Sequence, residues 1–323
     1  MRKKEAIELG AMRIFSIVSE SETLTHAGTK LGITQSAVSQ AIKQLEEQIG
    51  ESLIVKRSRP VQLTPGGKVL KSYVKNIISI TNRMTQDVKM ASSNGLASLN
   101  IGMISSFEEA LGVFFIDAIK PYVAKVSVST NRGNSLKNSL LNRDIDFMIT
   151  ADSLAEEHNI IRHAIIRDPF VILAPKNNSS NSIESIARTL PFINYNTHFK
   201  MGAQTTLIAR RLSIELNTQY ELDSTQTIIR FVAANKGWAI TTALSLASYS
   251  KQLNNVRIIN LSNGSNARCI TQIFRKNEFS HLPEKFAEAS RKIFSKEIAP
   301  ELHAIAPWLC EQAYAIEEPP LFI

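Results

Sequence analysis

Ser36, Ser39, Gln40 and Lys43 recur at a spacing that gathers side chains on one face of a helix, and no carboxylate interrupts the stretch from Gly32 until Glu46 and Glu47. These residue types suit the edges of nucleic-acid bases. Gln bonds adenine bidentately, Lys meets guanine or phosphate, and Ser pairs with several base edges or with phosphate. A carboxylate there would be repelled by phosphate. On the opposite side Val38, Ile42, Leu45 and Ile49 follow at intervals of 4, 3 and 4, so the polar face rides on an amphipathic helix with a buried stripe. An ordinary solvated face is the other reading of the same composition.

Such a helix needs neighbours to hold it. Thr34 is placed to cap it and joins its polar set, and Gly32 marks the end of a shorter helix that Thr23 or Thr25 can open. Ile7, Met12, Phe15 and Val18 predict a first helix that closes at "SESET". Two helices joined by a Gly-bearing turn, the second polar and basic on its outer face, form a helix-turn-helix over about residues 23–42, with the second helix in the major groove. Beyond Gly50, β-like runs from Leu53 to Val55 and from Val61 to Leu63 enclose Lys56, Arg57 and Arg59, a wing whose tip suits phosphate or the minor groove.

Thr64 and Pro65 then open a long helix reaching about Ser92. Within it Leu70, Val74, Ile77, Thr81, Met84 and Val88 alternate by 4 and 3, a heptad pattern that predicts dimerisation through Leu70, Val74, Ile77, Met84 and Val88. Packing of this stripe against the rest of the chain is the alternative.

The bulk properties agree with a polyanionic partner. The 323 residues carry 37 Lys/Arg against 29 Asp/Glu, and the first 92 residues hold 14 against 8, so the basic excess is N-terminal. Cys269 and Cys310 stand far apart without metal-ligand spacing, so neither a disulfide framework nor a zinc site is suggested, and a reducing cytoplasm is the natural compartment. No apolar run is long enough for a membrane span, and the basic N-terminus is not followed by the apolar core of a secretory signal. Phosphate-binding, hydrolase and metalloprotease motifs are lacking, so no catalytic residues, metal or cofactor are expected.

From Phe15 to Leu70, "FSIVSESETLTHAGTKLGITQSAVSQAIKQLEEQIGESLIVKRSRPVQLTPGGKVL" closely resembles the LysR-type transcriptional regulators, with hydrophobic positions, turn and wing in order and no gap. The resemblance carries DNA contacts over to Gln35, Ser39 and Lys43. It departs at Ser36 and Gln40, where the family usually has Pro and a basic residue, and at Ala27-Gly28, where it usually has two Ala. Gly28 is expected to weaken its helix by up to about 1 kcal/mol.

After a small, polar, Gly-bearing hinge at "SSNGLAS", strands and helices alternate, which predicts a mostly parallel α/β sheet. The first series runs "LNIGMISS", a helix, "KVSVST", a helix and "DIDFMIT"; the second begins at "DPFVILAPKN" and passes through "LPFINYN", "TQYEL" and "WAITT" before the chain returns with "CITQIF". Two lobes crossed twice by the chain resemble the periplasmic-binding-protein-like effector domain of the same family. Ligands of open α/β sheets bind beyond the carboxyl ends of strands, which singles out Ser105, Ser106, Asn134, Ser135, Thr150, Ser224, Thr225 and Thr241 for a small anionic or polar effector. Each of them could also be no more than a helix cap.

The expected fold is mixed α and α/β: a winged helix-turn-helix at 7–64, a linker helix at 65–92, an effector domain at 97–295 and an extension at 296–323. Lobe I would comprise 97–168 and 269–295, and lobe II 169–268. Trp308, Leu309 and Tyr314 could pack on the second lobe, or Pro319-Pro320 and the apolar end could meet a partner. The expected function is a cytoplasmic, sequence-specific regulator that binds double-stranded promoter DNA and a small-molecule effector. The resemblance implies a homodimer or homotetramer, and promoter binding makes RNA polymerase a further candidate partner. The competing reading is a small-molecule-binding protein whose winged helix has no promoter-specific role.

Overall fold

Phe15, Val18, Ala27, Val38, Ile42, Leu45, Leu53 and Val74 pack into one buried core. They belong to the first of two units, Met1–Leu96 and Ala97–Ile323, into which the chain divides. The computed structural model describes residues 7–55, 58, 60–90, 96–130, 135–180, 182–261 and 266–317.

Helices α1 (Leu9–Val18), α2 (Leu24–Leu31), α3 (Gln35–Ile49) and α4 (Pro65–Met90) form the first unit. Three are opened by threonines. Thr23 accepts from the His26 amide at 3.1 Å, Thr34 from Ala37 at 3.2 Å and Thr64 from Gly67 at 3.0 Å, each cap stabilising its helix by about 1 kcal/mol. Thr25 lies inside α2 instead. Gly32 and Gly50 end α2 and α3 at φ 69° and 84°, in the left-handed region that favours glycine. Gly28 does more than weaken α2: a Cβ there would lie 2.8 Å from the Ile33 carbonyl oxygen, so its absence lets the turn close tightly.

Ile54 and Leu63 form an antiparallel bridge at the base of the wing. Glu46 fastens that base to α3, its carboxylate accepting from the amides of Leu53 at 2.7 Å and Ile54 at 3.3 Å. The wing cations Lys56, Arg57 and Arg59 lie outside the described residues.

Along α4 the heptad set divides between two faces. Val74 is fully buried and Leu70 and Ile78 pack beside it, because the start of α4 closes the winged-helix core. The exposed stripe is instead Val69, Tyr73, Ile80, Met84 and Val88, with Ile77 half-buried between Tyr73 and Ile80. Val74 is therefore a core residue of its own unit and not available to a second chain, and Leu70 is partly buried against the same core.

The second unit runs β1 (Leu99–Met103), α5 (Ser105–Ile119), β2 (Val126–Thr130), α6 (Ser135–Leu141), β3 (Phe147–Thr150), β4 (Ile160–Pro175), α7 (Ile183–Thr189), β5 (Phe192–Tyr195), α8 (Lys200–Arg211), β6 (Thr218–Leu222), α9 (Thr225–Ala233), β7 (Ala239–Thr242), α10 (Ala243–Ala247), β8 (Val256–Asn260), β9 (Ala267–Arg275), α11 (Leu282–Ile293), α12 (Ala299–Ile305), α13 (Leu309–Gln312) and β10 (Tyr314–Ala315). In its first lobe β2, β1 and β3 are parallel, but β9 runs antiparallel to β3, and β4 antiparallel to β9. In the second, β7 and β8 are antiparallel to β4, while β5 and β6 are parallel. The sheet is thus mixed where a mostly parallel one was expected, because the two strands that carry the chain between lobes run in opposite directions.

The expected strand at Asp168 is the second half of a longer one. Strand β4 pairs with β9 as far as Pro169, opposite Ala267, and with β7 from Phe170, opposite Thr242, so a single strand serves both lobes. The first lobe is filled by rings: Phe147 stacks on its cross-strand partner Phe274 with centroids 4.4 Å apart, and Phe115 and Phe286 pack against them. In the second, Phe192 and Trp238, 4.7 Å apart, pack with Ile172, Ile208 and Ile240.

The C-terminal extension folds back. Strand β10 pairs with Ile166 and Arg167 of β4, Tyr314 takes the Arg167 guanidinium over its ring at 5.7 Å, and Leu309 is fully buried. Tyr314 therefore closes the first-lobe edge of β4 rather than packing on the second lobe, as an open strand edge favours pairing. Helix α12 does lie against α10 of the second lobe. Pro319 and Pro320 are outside the described residues.

Candidate functional site

The outer face of α3 stands clear of the core. Thr34, Gln35, Ser36, Ser39, Gln40 and Lys43 are all exposed, and among the described residues the side chains of Gln35, Ser36, Ser39 and Gln40 have no hydrogen-bond partner. Lys43 makes only a loose pair with Glu47 at 3.7 Å, both side chains being largely in water, where such pairs contribute little. The two acids at the end of the helix therefore have separate tasks: Glu46 holds the wing and Glu47 flanks Lys43.

The second unit encloses a cavity of about 170 Å³ between its lobes. Ser105, Ser106, Thr150 and Asp152 line it from the first lobe, and Tyr195, Lys200, Ser224 and Thr225 from the second. Two helices begin at its wall, α5 behind Ile104 and α9 behind Ser224, and neither N-cap residue makes a side-chain bond to its helix. The Phe107 amide of α5 donates to the Ile104 carbonyl at 3.0 Å, and the amides ahead of it, with the first amides of α9, are left to whatever occupies the cavity, which favours negative charge.

Arg268 joins the lobes at the base of this space. Its Nε donates to Asp168 at 2.8 Å, and its Nη2 donates to Ser106 in the first lobe at 2.8 Å and to Thr242 in the second at 3.1 Å. Asp168 is fully buried and also accepts from the Leu244 amide at 2.8 Å, so the pair is embedded where the chain crosses between lobes. Among the described residues the Arg268 Nη1 has no acceptor, and the guanidinium forms part of the cavity wall.

Beside it the Tyr195 hydroxyl bonds Thr225 at 2.9 Å and Thr241 at 2.7 Å. Burial pushes the Tyr195 pKa up, the two threonine bonds only partly opposing it, so the phenol stays neutral. Lys200 pairs with Asp152 across the cleft. Burial alone would raise the Asp152 pKa, but the Lys200 bond and the Leu154 amide outweigh it and hold the carboxyl below its usual range. Tyr249 reaches over to Glu109 at 2.8 Å, and its burial together with that carboxylate pushes its pKa to about 12.

Of the residues expected around an effector, Ser105, Ser106, Thr150, Ser224 and Thr225 do line the cavity. Thr241 is fully buried behind Tyr195 and outside the lining, because its hydroxyl is taken up by the phenol. Asn134 and the Ser135 side chain lie outside the described residues. Sequence reasoning missed Arg268, Tyr195, Lys200 and Asp152. Tyr195 ends a strand that had been recognised, and the rule that ligands sit beyond strand ends could have found it. Nothing local marks Arg268, whose partners lie 26, 100 and 162 residues away in the chain.

The sequence matches the model of the bacterial regulatory helix-turn-helix protein, lysR family, over residues 9–68, and that of the LysR substrate binding domain over residues 96–292. It is 26% identical over 268 residues to the uncharacterized HTH-type transcriptional regulator YnfL of Escherichia coli K12, covering 78% of this chain and 86% of that one. It is also 26% identical to the HTH-type transcriptional regulator TdcA of the same organism, over 68% of this chain and 72% of that one. In fold it is similar to full-length OxyR from Pseudomonas aeruginosa, with TM-score 0.65 and 18% identity over 88% of this chain and 98% of the other. It is likewise similar to full-length CbnR complexed with its target DNA, with TM-score 0.64 and 15% identity over 88% and 99%. No described helix is long and apolar enough to cross a membrane. The chain belongs to the LysR family: it is a DNA-binding transcriptional regulator with an effector-binding domain.

Proposed function

We propose that Gln35, Ser36, Ser39, Gln40 and Lys43 read an operator in the major groove, with Thr34 and the wing cations Lys56, Arg57 and Arg59 on the flanking phosphates. The observation that carries this reading is the α3 face itself, exposed and acid-free, with the loose Lys43–Glu47 pair as its one side-chain partner among the described residues. Two copies pair through the exposed stripe of α4, Tyr73, Ile80, Met84 and Val88 with Ile77, and so present two recognition helices to two half-sites. CbnR, which resembles this chain in fold, is described in complex with its target DNA.

A small anionic or polar effector occupies the cleft between the lobes, held by Ser105, Ser106, Thr150, Ser224 and Thr225 with Arg268 at its base. Because Arg268, Lys200 and Tyr249 each bond across the lobes, a ligand that competes for them favours one lobe arrangement over another, and that difference in affinity is what coupling to DNA requires. The protein acts as a regulator and not as an enzyme.

A gel shift on the DNA upstream of the protein's own gene, repeated over a range of salt, tests the reading. Binding that weakens steeply with salt, and that loses its two-half-site cooperativity when Met84→Glu charges the α4 stripe, is expected. Binding no tighter than to unrelated DNA would favour a ligand-binding protein without a promoter-specific role.

A further inference from the structure

The charges around the cleft are not evenly paired. Three cations line it, and each already has a carboxylate: Lys137 with Glu157 at 2.9 Å, Lys200 with Asp152, and Arg268 with Asp168 at 2.8 Å. Three carboxylates line it as well, but among the described residues Glu109 receives only the Tyr249 hydroxyl and Asp223 has no partner. Both are exposed at the rim, one turn along α5 from Ser105 and immediately ahead of Ser224.

The inner wall has the opposite character. There the uncapped first turns of α5 and α9 and the free Nη1 of Arg268, whose side chain is 9% exposed, all favour negative charge. A simple anion held on that wall would extend toward two unneutralised carboxylates and be repelled by them. A ligand with an anionic head and a cationic group a few bonds away meets both ends of the field. The cavity, at about 170 Å³, is slightly larger than the roughly 150 Å³ space that accommodates benzene, so a small ligand fits within it.

We infer that the effector is a small zwitterion of the α-amino acid class, its carboxylate on the α5 and α9 N-termini with Arg268, and its ammonium between Glu109 and Asp223. This rests on the reading of the cleft as the effector site and adds what the site selects. Glu109 and Asp223 are then specificity residues, because they reject the carboxylic acid that lacks the amine.

The full-length protein, titrated calorimetrically with the twenty L-amino acids and with the deaminated carboxylic acid of each that binds, tests the inference. At least one amino acid is expected to bind, and its deaminated acid to bind about tenfold more weakly or worse, the loss that goes with removing a charge-assisted hydrogen bond. In the double variant Glu109→Gln/Asp223→Asn that preference should shrink to near parity; both positions are exposed, so the fold is retained. Ser105→Asp serves as the control for place, since an acid suits the first turn of α5 yet occupies the anion position. Deaminated acids that bind as well as the amino acids, with Ser105→Asp abolishing both, would overturn the zwitterion and leave the cleft reading intact. Binding untouched by Ser105→Asp would overturn the cleft reading itself, and no binding by any of the twenty would overturn the inference.

Discussion

The polar residues on the outside of α3 and those around the cleft are held in opposite ways. Among the described residues the exposed side chains of Gln35, Ser36, Ser39 and Gln40 have no partners, and each could be exchanged without stranding another group. Around the cleft Arg268 binds Asp168, Ser106 and Thr242, while Tyr195 binds Thr225 and Thr241, with Asp168 and Thr241 fully buried. Removing any member leaves a desolvated partner. A DNA-reading face can therefore change residue by residue while the fold stays put, whereas the cleft resists change even before a ligand arrives.

The largest test of that contrast is Asp168→Ala. It leaves the Arg268 guanidinium and the Leu244 amide without their acceptor and should cost about 3–5 kcal/mol of stability in the second unit. Both tryptophans, Trp238 and Trp308, lie in that unit, so their fluorescence during urea unfolding follows it selectively. A loss below about 1 kcal/mol, the value of an ordinary surface pair, would break the comparison.

Gly67→Ala acts on the other unit. A Cβ at this position would come within 2.0 Å of the Leu53 backbone oxygen, a contact only the wing or α4 can relieve by moving, and overpacking of this kind costs about 1–3 kcal/mol or more. DNA binding should fall while the tryptophan-monitored midpoint stays where it was. A shift of that midpoint would instead mean that the two units unfold together.

A smaller effect sharpens the picture of the buried side. Among the described residues the buried His163 Nε2 has no hydrogen-bond partner, and burial, helped by Arg291 and opposed by Glu284, lowers the His163 pKa from 6.5. The unfolded chain thus binds this proton more readily than the folded one. The contribution of the neutral imidazole is complete above pH 6.5 and declines as the pH falls below it toward the folded value. Unfolding midpoints compared at about pH 7.5 and about pH 5.5 should differ less in His163→Gln than in the parent. An equal decline in both would assign the acid sensitivity elsewhere.

What could be foreseen from sequence follows the same divide. The winged helix is built from local signals, a threonine cap before each of three helices and a glycine after two of them, and these act within a few residues of their targets. The heptad on α4 was legible as a pattern, yet its first turns also complete the core beneath them, and no periodicity says which of two partners an apolar residue will face. In the second unit most strand positions were legible, β8, β10 and the first half of β4 excepted, but directions were not, since β4 and β9 owe their antiparallel course to long-range pairing. Arg268 was invisible for the same reason: its three partners come from three distant segments.

The central claim is that the exposed face of α3 carries DNA recognition without carrying stability. It is tested most directly by fluorescence anisotropy of an operator fragment titrated with the parent and with Ser39→Ala/Lys43→Ala, at several salt concentrations and beside the thermal midpoints of both. The account predicts weaker binding, a salt slope smaller by about 1 for the lost Lys43 contact and an unchanged thermal midpoint. Equal affinity and slope in the two proteins would contradict it.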